Sequence, residues 1–449
     1  MNKIFIIGAL CVFGLLFVLD YDFSDMINYH ECIDCNVILI SVDTLRADHL
    51  GSYGYTRNTS QNIDRLANEG ILFRNAFSQS LQTLSSHMSI FTSLYPGKHR
   101  IIYFASLYPQ ADEVTRSEEN ESLNTSIKTL PEILKLFGYK TTLFAQNQPA
   151  LDLNRGFGRG FDDIHPEGLE KDSDWDAVYN WIDNNSKSKF FMFLYTNRVH
   201  DPYVVPSPFV KLYDPDYEGS IISEQNEFLE RIAKLNLTGY NSIRQFYWQF
   251  VNTSNKNDVN HLIALYDAAL TCCVDPSIGK LIDKLNELRI DNKTVIILTS
   301  GHGEAFGERG TFFHMSLHRE VLHVPLIIKI PNSDSKTIES QVQSIDIMPT
   351  ILDILGITIQ YDIQGKSLMP LIRNKTKIIN EYTYGYWPSM FSVRSDEWKL
   401  IKYHNGKLEL FDIKNDPEEQ VNVAEEYPDV VKYMKNKIDE FELSVLRTD

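Results

Sequence analysis

Residues 295–298 are apolar and mostly β-branched, and they stop abruptly in Thr299, Ser300, Gly301, His302, Gly303 and Glu304. That is the pattern of a buried parallel strand delivering polar groups at its carboxyl end, the edge where open α/β sheets keep their sites. A second such run, NVILISV, ends in Asp43. A carboxylate and an imidazole meeting at one edge can hold a divalent cation, so Asp43 and His302 are candidate ligands and Glu304 a further one. Gly301, just before the histidine, brings no side chain to a place from which a carboxylate oxygen could join. Thr83, Ser85 and Ser86 precede a helix-like run. Backbone N–H groups at a helix start stabilise an oxyanion, a sulfate or a phosphate, and a hydroxyl there is well placed to be a nucleophile.

The elements that must position these groups alternate between strand and helix. After the NVILISV strand, Ser60 caps a helix with Ile63, Leu66 and Ala67 inward and Gly70 closing it. Thr129 and Pro131 open another helix that closes at Gly138, and residues 140–145 and 189–195 read as further buried strands. Residues 261–288 have helical period, interrupted at Pro276, and lead into the strand before Gly301. This alternation predicts an α/β fold: a large, mostly parallel sheet covered by helices on both faces. The character changes near residue 335. A helix over residues 346–355 and a hairpin turning at Asn405–Gly406 predict a smaller antiparallel sheet with a helix. The implied organisation is an N-terminal export segment over 1–24, a linker over 25–35, an α/β domain over 36–335 and a smaller subdomain over 340–449. Residues 200–260 have no clear period and suit a lid or rim.

With 449 residues and 43% hydrophobic content the chain can bury a full core. A formal charge of −17 argues against nucleic-acid binding and leaves any anionic substrate to be held by a local patch. Residues 4–19 are apolar, with Lys3 before them and Asp20, Asp22 and Asp25 after. They read as an uncleaved signal anchor or a cleaved signal peptide, with the remainder outside the cell membrane or secreted. Sequons such as Asn58 and Asn292 suit an exported surface. Cys32 and Cys35 read as a local disulfide or two idle thiols, and Cys272 and Cys273 as packing residues within a helix.

The ordered motifs VILISVDTLRADHLGSYGY, TSLYPGKH, GFGRGFD, VHDPY, YDAALTCCVD, HVPLIIKIP, SIDIMPTILDILGI and EWKLIKY with LFDIKNDPEE resemble the sulfatase family of the alkaline phosphatase superfamily. The resemblance runs from Asn36 to about Ala424. It implies a hydrolase of sulfuric or phosphoric esters that uses one divalent metal, calcium, magnesium or manganese. Its ligands would be Asp43, Thr83 and His302, with Thr44 standing where many relatives have a second aspartate and Gly301 where the family has another metal-binding aspartate. With one firm carboxylate the metal should bind weakly, and Gly301→Asp should tighten it. The family's C-x-P-S-R motif maps onto Thr83, Leu84, Ser85, Ser86 and His87, which puts threonine at the nucleophile and excludes the usual oxidation to formylglycine. His87 would contact the anion. So would His200, in VHDPY, and His314, at an anion-binding lysine, with His200 or His314 also protonating the leaving oxygen. Gln146 and Gln148 replace a K-x-H pair. The implied partner is an anionic ester, on a sulfated or phosphorylated glycan or lipid. A site built on three histidines should bind anions less well as pH rises. Two alternatives stay open: a threonine-nucleophile phosphoesterase or phosphotransferase, and a degenerate domain that binds an anionic glycan or partner without turnover. Each residue also has a plainer role, Asp43 and the hydroxyls as caps and the histidines as packing or turn residues.

Overall fold

The computed structural model describes residues 32–102, 122–146 and 151–446. The apolar segment at residues 4–19 and Gln148 lie outside them. Eight strands form the large sheet: β1 (Asn36–Val42), β2 (Ile71–Phe77), β3 (Lys140–Phe144), β4 (Asp163–His165), β5 (Phe190–Thr196), β6 (Thr294–Thr299), β9 (His323–Lys329) and β10 (Lys336–Gln343). A two-stranded ribbon, β7 (Ala305–Phe306) and β8 (Phe312–Phe313), interrupts the sequence between β6 and β9. The spatial order is β10-β2-β9-β6-β1-β5-β3-β4. Every neighbouring pair is parallel except those made by β9, which is antiparallel to both β2 and β6.

The sheet is buried on both faces, as its continuous apolar strands predict. Side chains alternate along β1: Val37 and Leu39 enter one core with Phe191, Phe193, Val295 and Ile297. Ile38, Ile40 and Val42 enter the other with Met192, Leu194, Ile296 and Leu298. The first helix, Gln61–Glu69, buries Ile63, Leu66 and Ala67. At Thr129 the helix Leu130–Leu136 opens with a capping box, Thr129 and Glu132 satisfying each other's backbone N–H groups.

The helical run expected around Pro276 is interrupted just before it: Lys256–Ala269 and Asp275–Glu287 are joined by a π-helical turn over Leu270–Val274, and Pro276 falls in the first turn of the second helix, where proline is tolerated. Lys256–Glu287 is, among the described residues, the one helical run long and apolar enough to cross a membrane, and it is largely buried inside the domain, where Leu262, Leu265 and Leu281 join the core. Cys272 and Cys273 are disulfide-bonded to each other instead of serving only as packing residues, and Cys32 is bonded to Cys35.

Residues past 335 also build the large sheet. β10 is its edge strand, and Ile347, Ile351 and Ile354 of the helix Ile347–Ile354 lie in the first core. The smaller sheet is an antiparallel meander, β11 (Thr383–Trp387), β12 (Met390–Arg394), β13 (Trp398–Tyr403) and β14 (Leu408–Asp412). Gly406 takes φ +86° in the β13–β14 turn, a conformation that favours glycine. The helix Pro428–Leu446 packs Met434, Ile438, Phe441 and Val445 into a third core with Tyr95, Phe391 and Leu400.

Candidate active site

The registers of the central strands bring the candidate residues to one edge. Ser41 of β1 lies opposite Tyr195 of β5 and Thr299 of β6, so Asp43, the turn after β5 and the Ser300–Glu304 segment all leave the sheet at the same level. The helix Thr83–Thr92 points its first residue at them. Thr83 Oγ1 lies 3.2 Å from His302 Nε2 and 3.4 and 3.5 Å from the two Asp43 carboxylate oxygens. Asp43 Oδ1 and His302 Nε2 are 3.6 Å apart. All three residues are buried. The structure therefore brings together Asp43, Thr83 and His302.

Their protonation states follow from their partners. His302 Nδ1 donates to the Gly303 carbonyl at 2.9 Å, which leaves Nε2 as a lone pair facing Thr83 and Asp43. Burial holds His302 down to about 4, with His314 adding to the effect. Burial would raise the Asp43 carboxyl, but His302, His200, the hydroxyl of Tyr195 (2.7 Å) and His87 outweigh it and keep the group ionised. A carboxylate, a hydroxyl and an imidazole nitrogen stripped of its proton, all taken from water, fit a divalent cation.

Gly301 has a structural explanation other than a lost ligand. A Cβ built on it would sit 2.5 Å from Ser86 Oγ and 2.6 Å from the His87 ring. His87 fills that volume because both of its ring nitrogens are fixed: Nδ1 donates to the Thr83 carbonyl at 2.6 Å and Nε2 pairs with Ser41 Oγ at 2.7 Å. It is fully buried and held down to about 4 by that burial. His87 thus sits against the body of the Thr83 helix, with no ring nitrogen free for an anion, and Gly301→Asp would meet its ring before it met a cation.

His200 and His314 do reach the site, and both are partly accessible. The His314 ring lies 4.4 Å from that of His302, tilted to it, and 5.6 Å from that of His200, edge-on. They differ in charge. Burial holds His314 down to about 3. Burial alone would lower His200 too, but Asp201, with Asp43 and Glu304 behind it, carries it up to about 10. The expected three-histidine charge therefore narrows to one: burial holds His87 and His314 down, while His200 is raised, so loss of positive charge with rising pH rests on His200 and moves to alkaline pH.

Sequence reasoning missed the residues that hold His200. Asp201 is fully buried and accepts from Tyr240 OH (3.0 Å), Arg244 Nε (2.8 Å) and Trp248 Nε1 (2.8 Å). All three donors lie in or at the helix Tyr240–Trp248, in the stretch that showed no period. Glu304, read as a possible ligand, is also fully buried, and neither of its carboxylate oxygens has a hydrogen-bond partner among the described residues. Gln146 is half-buried at the end of β3.

A family model described as Sulfatase matches residues 35–357, and one described as N-sulphoglucosamine sulphohydrolase, C-terminal, matches residues 307–444. Arylsulfatase K of Rattus norvegicus is 25% identical over 448 residues, covering 88% of this chain and 76% of its own. The N-acetylglucosamine-6-O-sulfatase of Bacteroides thetaiotaomicron is 24% identical, covering 86% of this chain and 82% of its own. The solved phosphonate monoester hydrolase of Agrobacterium radiobacter superposes with a TM-score of 0.71 at 20% identity, over 92% of this chain and 96% of its own. A structure in complex with its substrate D-glucosamine-2-N,6-O-disulfate superposes with a TM-score of 0.72 at 21% identity, over 92% and 98%.

Proposed function

We propose, from the premise that this chain belongs to the sulfatase family, that it hydrolyses a sulfate or phosphate monoester by direct attack of Thr83. The observation that carries this reading is the convergence of Thr83 Oγ1 on Asp43 and His302 at the amino end of a helix. Asp43, Thr83 and His302 would hold one divalent cation, calcium, magnesium or manganese. Bound there, it would supply Lewis acidity that lowers the hydroxyl pKa and offsets the charge of the ester.

The chain's own groups account for the remaining steps. The free N–H groups of the first helical turn face an ester oxygen placed at Thr83, and they stabilise negative charge as it develops. Tyr195 fixes Asp43 through a 2.7 Å hydrogen bond, so the carboxylate does not swing away from Thr83. As Thr83 Oγ1 bonds to sulfur or phosphorus, its proton passes to a neighbouring acceptor and the ester oxygen leaves. His200, which keeps its proton at neutral pH, is the donor to that oxygen. A threonine cannot become the aldehyde formed from cysteine or serine, so water must release the bound sulfo or phosphoryl group from Oγ1. The N-acetylglucosamine-6-O-sulfatase relative and the aromatic rim of Tyr240, Trp248 and Phe313 favour an ester carried on a sugar. The apolar residues 4–19 and their flanking charges favour an exported chain, anchored or secreted.

Assays of aryl sulfate and aryl phosphate with wild type, Thr83→Ala and Ser85→Ala test the reading. Turnover of one ester should fall on the order of 10³-fold or more in Thr83→Ala and little in Ser85→Ala, because Ser85 Oγ is buried away from the site's hydrogen bonds. The reverse ranking would overturn it. The closed space at Gly301 supports a second reading, a domain that binds an anionic glycan without turnover. Binding of a sulfated or phosphorylated sugar with no hydrolysis by any of the three proteins would select it.

A further inference from the structure

A second group of potential ligands lies beside the first. His200, Glu304 and His314 each offer one donor atom, and these atoms lie within 4.8 Å of one another, the one such group of three among the described residues. The backbone explains the pairing of two of them. In the β7–β8 ribbon Ala305 lies opposite Phe313, so the next position outward sets Glu304 opposite His314, and Glu304 Oε1 lies 3.6 Å from His314 Nδ1. His200 enters from the turn after β5.

Glu304 is difficult to explain without a ligand. Its carboxylate is fully buried, and neither oxygen accepts a hydrogen bond from the described residues; His314 Nδ1 is likewise buried without one. A buried carboxylate left in this way is costly unless a charge or a metal balances it. His200, in contrast, is oriented. Its Nδ1 lies 2.9 Å from the Asp201 carbonyl and 3.1 Å from Asp201 Oδ1, which turns Nε2 away from Asp201. A histidine backed by a buried carboxylate is the usual support of a metal ligand, and here Tyr240, Arg244 and Trp248 fix that carboxylate in turn.

We propose that His200, Glu304 and His314 form a second cation site, for a borderline divalent ion such as zinc, beside the Asp43–Thr83–His302 site. Two imidazoles and one carboxylate with a fourth position open are a zinc-type ligand set. The rings of His302 and His314, 4.4 Å apart, make the two sites neighbours. An ion here takes the place of the proton on His200, so His200 protonates the leaving oxygen only where this site holds no ion, and the bound ion gives the anion a positive charge that neutral His314 cannot supply. The proposal rests on this geometry and does not require that the chain hydrolyse an ester.

Calorimetric titration of the metal-freed protein with zinc tests it, alongside thermal unfolding with and without the ion. Wild type should bind zinc at this site and gain melting temperature. Glu304→Gln and His314→Gln should each weaken that binding about 10-fold or more and lose the zinc-induced gain. Without metal, Glu304→Gln should melt no lower than wild type, since neither carboxylate oxygen accepts a hydrogen bond that the substitution would break, and that readout distinguishes loss of a ligand from loss of the fold. Asp43→Asn should leave this binding event in place. Zinc binding lost in Asp43→Asn but unchanged in Glu304→Gln and His314→Gln, or no zinc binding in wild type, would overturn the proposal. Binding lost only in the Glu304 and His314 variants, with no second event sensitive to Asp43, would sustain it and count against the Asp43 site instead.

Discussion

Gly301, read in the sequence as a missing ligand, also has a packing role in the structure. The sequence marks it as a place where a carboxylate is missing, which predicts tighter metal binding in Gly301→Asp. The structure fills the same place with Ser86 Oγ and the His87 ring, 2.5 and 2.6 Å from a Cβ at that position. Gly301→Ala should therefore overpack the site and cost about 1–3 kcal/mol, measured by denaturant unfolding. In a His87→Ala background the same substitution should cost less, because the obstructing ring is gone, and additive costs would show that the two residues do not share the space. Thr83, Asp43 and His302 were legible because each ends or starts an element. His87 as a filler was not, since its two partners, Ser41 and the Thr83 carbonyl, are matters of three-dimensional packing.

At the scale of elements, the strands that carry ligands could be read because their apolar runs are long and end in polar residues, and β1 spans the stretch expected. The helix Tyr240–Trp248 could not, because its apolar face covers only part of its surface: Tyr247 alone among its residues is buried. Its contribution to the site is polar, through Tyr240, Arg244 and Trp248 on Asp201. Arg244 also lies 3.8 Å from the centre of the Phe313 ring, so one side chain joins this helix to the β7–β8 ribbon. Arg244→Met should leave the Asp201 carboxylate short of a charged donor. We expect a loss of about 1–3 kcal/mol in stability and a fall in turnover of about 10-fold or more, partly restored by Arg244→Lys. Unchanged kinetics would mean that Asp201 holds His200 without Arg244.

Across the whole molecule, the smaller sheet is tied to the large body by a partly buried ion pair as well as by the third core. Glu409 of β14 accepts from Tyr403 OH (2.8 Å) and pairs with His318 Nε2 (3.1 Å), in the segment that leads into β9, and with Lys407 Nζ (2.7 Å). Burial raises its carboxyl, but His318, Lys407 and Tyr403 outweigh it and hold it down to about 2, from an ordinary 4.5. A carboxyl depressed in the folded state adds stability above its unfolded value and loses it as pH falls through the folded value. Glu409→Gln should thus lower stability by about 1 kcal/mol at neutral pH, solvent screening of a half-exposed pair reducing the effect, with the difference fading between about pH 4.5 and 2. A difference that did not depend on pH in thermal melts would point to packing alone. The division into a large and a small sheet was legible from periodicity and turn residues, while the contact between them was not, since His318 and Glu409 lie far apart in sequence.

The central claim, that Thr83 Oγ1 forms the bond to sulfur or phosphorus, is tested most directly by trapping the reaction. Wild type mixed with excess aryl sulfate or aryl phosphate, quenched in acid within one turnover, would be analysed by intact-protein mass spectrometry and peptide mapping. The account predicts one added sulfo or phosphoryl group, mapped to Thr83 and absent from Thr83→Ala. A group mapped to any other residue, or full turnover retained by Thr83→Ala, would contradict it.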